Sequence, residues 1–245
     1  MNITDLVKAN AASNYLRTSS ATQSVYGTSG VAQGLQKADQ RIQSQVDTTS
    51  AQLSSFGKLK SAVSDAQIGA KALTHLASAT SNTDVKTAAT NFVNAFNGAV
   101  AAARTTSGVA GDTAANQSAS RVSNDLQRTV AADTATAQAL KQVGISLNTS
   151  GKVVVDSNKF DTAQKANPGA VKDALNRLGQ QVGQVAAKEL AADGNVGVSM
   201  TTLNQRSSML KSQQATLSSL QQNAAAVSNS SSSLFALGLS AYRST

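Results

Sequence analysis

Two long runs of apolar residues at seven-residue spacing, one near each end of the chain, constrain this sequence most. In the first, from about 31 to 77, the ladders comprise Leu35, Ile42, Phe56, Val63 and Ala70, broken only by Thr49, with Leu53 beside them. In the second, from about Met200, they comprise Leu203, Leu210, Leu217 and Ala224, and, offset by three, Leu220, Val227 and Leu234. This spacing is typical of coiled-coil helices. We therefore predict two long helices that pair along these residues.

The ladders admit two interpretations. The long helices could pack only against each other within one chain, or their ends could also pack against neighbouring subunits. We assign self-association to the ladder residues, namely Leu35, Ile42, Leu53, Phe56, Val63, Leu203, Leu210, Leu217, Leu220, Val227 and Leu234.

Residues 84–195 form a different kind of segment, predicted to be a compact α+β domain. Its apolar residues follow helical stripes in 85–103, in about 115–142 and after Asn167-Pro168, where proline suits the first helical position. Alternating apolar residues on both sides of Asn148-Thr149-Ser150-Gly151 predict a β-hairpin over 145–155. The fold class is mainly α with a small α+β part.

The two ends complete the predicted organisation. Residues 1–30 lack a sustained apolar period and are expected to form a disordered export and assembly segment, followed by the coiled-coil helix over 31–77. Residues 196–245 are expected to form the second coiled-coil helix and an apolar tail. The amino terminus has no basic leader with an apolar stretch, so we expect no cleaved export signal.

Composition narrows the chemistry that we expect. The 245 residues include no Cys and one His, His75, so thiolate chemistry and sites with two imidazoles are excluded. The net charge of +8 comes from 21 dispersed Lys and Arg against 13 acids, of which one is Glu. Nucleic-acid binding is not predicted from such scattered bases, and no stretch is apolar enough to insert in a membrane. We expect no enzyme, cofactor or metal site.

Several motifs in a fixed order resemble the flagellar filament cap family, also called hook-associated proteins. The segment Asn91-Phe92-Val93-Asn94-Ala95-Phe96-Asn97 resembles that family's Phe-Val helix motif. Behind it stand Gly144-Ile145, then Gly151 through Val153 and Val155 to Asp156, and finally Asn167-Pro168. The helix around Leu53 to Val63 also resembles the family's amino-terminal helix. The residues that carry the resemblance are Phe92, Val93, Phe96, Asn97, Gly144, Ile145, Gly151, Val153, Val155, Asp156 and Pro168.

The resemblance implies a structural protein of the bacterial flagellum, a short version without the β-rich head domains that family members usually carry. Residues 78–83 alone join the amino-terminal helix to the Phe-Val helix here. The resemblance also implies an extracellular oligomer that assists flagellin assembly at the filament tip and supports motility. The implied partners are flagellin, hook-filament junction proteins and an export chaperone. Two alternatives stay open: a polymerising subunit of a flagellar-type filament or other surface appendage, and a cytosolic basic binding protein.

Overall fold

A computed structural model describes the backbone of residues 27–76, 81–131 and 134–243, with side chains within residues 32–226. The elements are α1 (Gly27–Thr74), α2 (Asn82–Ser107), α3 (Thr113–Ala131), α4 (Thr134–Gln142), β1 (Ile145–Leu147), β2 (Val153–Val155), α5 (Ser157–Ala166), α6 (Pro168–Leu190) and α7 (Asn195–Arg243). The strands pair antiparallel, with Ile145 opposite Val155 and Leu147 opposite Val153. The predicted mainly α fold with a small β part is confirmed.

The chain divides into two units. Unit 1 takes the chain up to Gln43 and from Ser212 onward, and unit 2 comprises Ser44–Lys211. In unit 1, α1 and α7 lie side by side, because Gln214 Nε2 donates a 2.8 Å hydrogen bond to Gln43 Oε1. Unit 2 contains the other parts of both long helices and every element between them.

The first long helix differs from its predicted bounds. Helix α1 starts at Gly27 and ends at Thr74, whereas the sequence predicts 31–77. The expected disorder of 1–30 is therefore wrong for residues 27–30, and residues 1–26 lie outside the described part. Thr49, which interrupts the apolar ladder in sequence, is 2% exposed, so the buried face of α1 continues through it.

The apolar stripe of α2 forms the centre of unit 2. Ser81 begins this helix: its Oγ accepts a hydrogen bond from Asp84 N and donates one to Asp84 Oδ2. Every residue of the predicted stripe is buried, and the rings of Phe92 and Phe96 lie 5.9 Å apart. The buried stripe comprises Val85, Ala89, Phe92, Val93, Phe96, Val100 and Ala103.

The sequence predicts one helix over about 115–142, but the described residues form two, α3 and α4. Residues 132 and 133, between these helices, lie outside the described residues. Helix α3 packs along α2 on one side and α6 on the other, while α4 packs on α6 and β1. Val122, Leu126 and Leu140 are buried in these contacts.

Local signals define the second half of unit 2. Gly144 ends α4 with a φ of +80°, and Gly151 closes the hairpin turn with a φ of +72°. Asp156 caps α5, which runs from Ser157 to Ala166. Asn167 Oδ1 then accepts from Ala170 N to begin α6, with Pro168 at the first helical position, as expected.

Candidate functional site

The first candidate site joins the two long helices to the α2–α3 loop, and we call it the Asp112 junction (Gln52, Asp112, Asn116 and Arg206). Gln52 of α1 is 2% exposed, and its amide group pairs with the main chain of Asp112. Gln52 Nε2 donates to Asp112 O at 3.2 Å, and Asp112 N donates to Gln52 Oε1 at 2.9 Å. From α7, Arg206 Nη1 donates to Asp112 Oδ2 at 3.1 Å.

Asp112 also starts α3. Its Oδ1 accepts from Ala114 N at 2.8 Å and from Ala115 N at 3.1 Å, which satisfies two amides that lack partners at a helix start. Asn116 fastens the same loop, because its Nδ2 donates to Val109 O and its Oδ1 accepts from Gln52 Nε2. The junction therefore couples three elements through one carboxylate and one buried amide.

The second site is the hairpin clamp, formed by Asn97 and Val153. Asn97 Nδ2 donates to Val153 O at 2.8 Å, and Val153 N donates to Asn97 Oδ1 at 2.9 Å. One side-chain amide thus satisfies both main-chain groups of Val153, as a neighbouring strand would. The clamp brings together two motif residues that are 56 positions apart and fixes the hairpin on α2.

Other motif residues meet where α4 ends. Asp156 N donates to Gly144 O at 2.7 Å, so the residue that follows the hairpin returns to the residue that precedes it. A Cβ at Gly144 would lie 2.8 Å from Asp156 O and 2.9 Å from Lys159 Cβ. Asp156 Oδ1 accepts from Asn158 N and Lys159 N. Phe92, Val93, Phe96, Ile145 and Val153 are buried and Val155 is half-buried, while Pro168 is exposed at the start of α6.

The predicted self-association residues fall into several groups. In unit 2, Phe56, Val63, Leu203 and Leu210 are buried within the chain, and Leu53 is half-buried. In unit 1, Leu217 is buried, and Leu35 and Ile42 are half-buried. Leu220 is 46% exposed, so it does not share the buried face of Leu217. The side chains of Val227 and Leu234 lie outside the described residues.

One carboxyl in unit 2 has a perturbed acidity. Burial raises the pKa of Glu189, and the nearby Asp125 carboxyl raises it further, whereas a hydrogen bond from Asn195 lowers it. The ion pairs Lys86–Asp161 and Arg206–Asp112 lie near the surface. In the first of these, Lys86 of α2 donates to both carboxylate oxygens of Asp161 in α5. His75 is exposed beyond the end of α1.

The described residues contain no group of three His, Asp or Glu side chains placed to hold a metal ion. None of the described helices is long and apolar enough to cross a membrane. A cavity of about 430 Å³ between α4 and α5 is an open surface depression with Lys141 and Lys159 among its lining residues.

The sequence did not reveal the roles of Gln52, Asn97 and Arg206. A glutamine inside a heptad run carries no local signal of burial, because its partner, Asp112, is 60 residues away. In the sequence, Asn97 stands out only as part of the Phe-Val helix motif.

The family described as flagellar hook-associated protein 2 C-terminus matches residues 67–236, more than two thirds of the chain. The chain belongs to this family, and the suspected resemblance is confirmed. Membership gives it a cap-like structural role at the flagellum, outside the cell. No curated protein and no solved structure matches the chain.

Proposed function

We propose that this chain is a non-enzymatic subunit of a flagellar filament cap, which self-assembles through its terminal helices and assists flagellin assembly at the filament tip. The observation that carries the proposal is the family match, which extends from the end of α1 through unit 2 and along most of α7. Its proposed partners are further copies of itself, flagellin and the hook-filament junction proteins. We further propose export without a cleaved signal, with the help of a chaperone.

The burial of the ladder residues supports different roles for the leucines of α7, some within the chain and one between subunits. Leu210 is 4% exposed and Leu217 is 8% exposed, so each is already covered by its own chain. Leu220 keeps 46% of its surface exposed. Covering an exposed apolar side chain with a neighbouring subunit removes it from water and stabilises the assembly. We therefore propose that Leu217 holds the helices of unit 1 together and that Leu220 contacts another subunit.

We further propose that the segment 84–195 folds without the end of α7. Its helices and hairpin pack on one another, and the Phe92–Phe96 ring pair lies inside this segment. Deleting Phe235 to Thr245 is then expected to weaken assembly, while the shortened chain keeps a helical circular-dichroism spectrum and unfolds cooperatively. A variant that loses its folded spectrum would contradict the independence of the segment.

The test in cells removes the gene and restores it on a plasmid. Deletion is expected to abolish swimming and to release flagellin monomer into the medium, because unassembled flagellin is lost when the tip is not capped. The wild-type gene should restore both. Leu220→Ala should restore them poorly, whereas Ser219→Ala, an exposed neighbour on the same helix, should restore them fully. Normal swimming of the deletion strain would refute the cap function.

Electron microscopy of the purified protein separates the cap from the polymerising subunit of an appendage. Closed rings or small oligomers support a cap, whereas long open filaments support the alternative, since a contact that does not close by rotation continues indefinitely. The third candidate, a cytosolic basic binding protein, requires the protein to stay inside the cell. Its detection in shed flagella from a strain that does not lyse would exclude that candidate.

A further inference from the structure

A row of exposed residues along α7 points to a further property of the chain. Three of its members are apolar, Val198, Met209 and Leu220, and they expose 47%, 50% and 46% of their surface. They are three of the five large apolar residues that are exposed among the described side chains. Between them, the residues at 202, 205, 213 and 216 are exposed as well. We call these seven residues the outer stripe.

The outer stripe occupies one face of α7. Met209 follows Val198 by 11 positions and Leu220 follows Met209 by 11, and in an α-helix 11 residues make three turns plus about 20°. All seven residues fall within an arc of about 80° and along about 33 Å of the helix. The buried leucines of α7 have a mean direction about 100° away from this face. They are Leu203, Leu210 and Leu217.

The order of residues in the outer stripe is symmetrical about Met209. In chain order they are Val198, Thr202, Gln205, Met209, Gln213, Thr216 and Leu220. Four positions from Met209 there is a glutamine on each side, seven positions away a threonine, and eleven positions away an apolar residue. The outer stripe therefore presents the same kinds of side chain when it is read in either direction.

This symmetry suits one way of pairing two identical helices. When the helices lie antiparallel about a two-fold axis, a residue before the axis meets the residue at the same distance after it. A parallel pair sets each residue against its own copy whatever the order of the sequence, so it needs no such symmetry. The symmetrical order therefore favours an antiparallel pair whose axis passes at Met209.

We propose that the outer stripe binds the outer stripe of a second copy of this chain, antiparallel and with the two-fold axis at Met209. Met209 packs against Met209 of the partner subunit, and Val198 packs against Leu220 of the partner subunit. The pair removes apolar surface from water, which stabilises it. This inference rests on the proposed contact of Leu220 with another subunit and names the residue that Leu220 meets. Because both copies use the same surface, the pair closes at two copies, and larger assemblies need a further surface.

The charges of α7 favour a neutral partner of this kind. Within residues 195–226 the charged side chains are Arg206 and Lys211, and neither belongs to the outer stripe. Arg206 is paired with Asp112, and Lys211 lies about 160° around the helix from the centre of the outer stripe. A partner that carried charges would bury them here without a counterion, which is costly. Facing glutamines, in contrast, can each donate and accept a hydrogen bond.

Engineered cysteines test the position of the axis, since the chain has no cysteine of its own. Met209→Cys should form a covalent dimer on mild oxidation of the full-length protein, because the two copies of this residue meet at the axis. Asn204→Cys is the matched control, because Asn204 is exposed on α7 about 140° around the helix from Met209. It should stay monomeric on a non-reducing gel. Equal yields of covalent dimer from the two variants would overturn the proposal.

A mixture of two single-cysteine variants tests the direction of the helices. Val198→Cys, carrying an affinity tag, is mixed with untagged Leu220→Cys before oxidation, so a mixed dimer has an intermediate mass. The antiparallel pair predicts the mixed dimer and little covalent dimer from either variant alone. A parallel pair predicts the reverse, with each variant linked to its own kind, and that result would refute the proposed arrangement.

Sedimentation of the full-length chain tests the contact without cysteine. The wild type should show a dimer that Met209→Asp loses, because pairing would bury two facing carboxylates, whereas Asn204→Asp should keep it. Both positions are exposed, so both variants should retain the circular dichroism of the wild type. A dimer that persists in Met209→Asp, or a wild type that is monomeric throughout, would contradict the pair. Should Met209→Asp fail to fold, the cysteine yields decide.

These experiments separate the pair from the proposed cap function. If Leu220→Ala lowers the oligomer mass but Val198→Cys and Leu220→Cys do not link, Leu220 contacts another surface and the antiparallel pair is wrong, while the proposed contact at Leu220 stands. If the cysteines link as expected but the deletion strain swims normally, the pair is correct and the cap function is wrong.

Discussion

Gly179 of α6 lies directly against α1, and replacing it with alanine should destabilise the protein even though alanine is the better helix former. A Cβ at this position would collide with the carbonyl oxygen of Ala70 and would lie 2.9 Å from Leu73 Cβ and 3.1 Å from Thr74 Cγ2. A backbone oxygen cannot rotate away as a flexible side chain can. The two helices must therefore separate, which disturbs the buried contacts of Leu73.

The magnitude is the difference between two opposing terms. Glycine to alanine in a helix interior gains about 1 kcal/mol. Overpacking a buried contact costs about 1–3 kcal/mol, and a clash with backbone belongs at the upper end. We expect Gly179→Ala to lower the free energy of unfolding by about 1–2 kcal/mol, the difference between these terms.

Gly183, one turn later on α6, is the matched control. A Cβ there would lie 3.8 Å from Ala70 Cβ, an ordinary contact. Gly183→Ala should therefore raise the free energy of unfolding by about 0.5–1 kcal/mol. Urea unfolding followed by circular dichroism measures both variants. If Gly179→Ala is as stable as Gly183→Ala, the two helices do not approach closely at Gly179.

Five further substitutions test the clamp, the junction, the packing of unit 1 and the assembly surface. Asn97→Ala leaves both main-chain groups of Val153 without their partner and should cost about 1–3 kcal/mol in urea unfolding; an unchanged midpoint would contradict the clamp. Asp112→Ala should cost about 0.5–2 kcal/mol for the lost helix cap, whereas Asp112→Asn, which keeps the Oδ1 acceptor, should lose less; equal losses would assign the effect to the charge. Leu217→Ala should cost about 2–5 kcal/mol of stability, and Leu220→Ala should reduce oligomer mass in light scattering without lowering the melting temperature; an unchanged mass in Leu220→Ala would remove Leu220 from the contact.

Elements with a local cause could be predicted from the sequence. The stripe of α2 follows from the 3.6-residue period of a helix, and all its predicted members are buried. Gly144 and Gly151 end a helix and close a turn with positive φ, and Asp156 and Asn167 satisfy the first amides of α5 and α6. Each of these signals acts over a few residues. The ordered motifs, although spread over a longer range, were also enough to indicate the family.

The seven-residue period of apolar residues does not determine which neighbouring element covers a given face of a helix. Leu217 and Leu220 follow similar ladders in sequence, yet one is 8% and the other 46% exposed. A heptad marks a stripe about the helix axis, whereas exposure depends on where the partner helix lies. For the same reason, Thr49 interrupts the apolar ladder in the sequence, although the structure buries it with its apolar neighbours.

The hydrogen-bond partners of polar residues that link distant parts of the chain depend on tertiary structure alone. Gln52 reaches Asp112, Asn97 reaches Val153 and Glu189 reaches Asn195, each on a different element. Burying such a group is costly unless a partner satisfies it, and the partner is brought near only when the chain folds. The sequence by itself determined the helices, the turns and the family. The three-dimensional packing determined which glutamine, asparagine and glutamate side chains have a hydrogen-bond partner, because only packing brings those partners near.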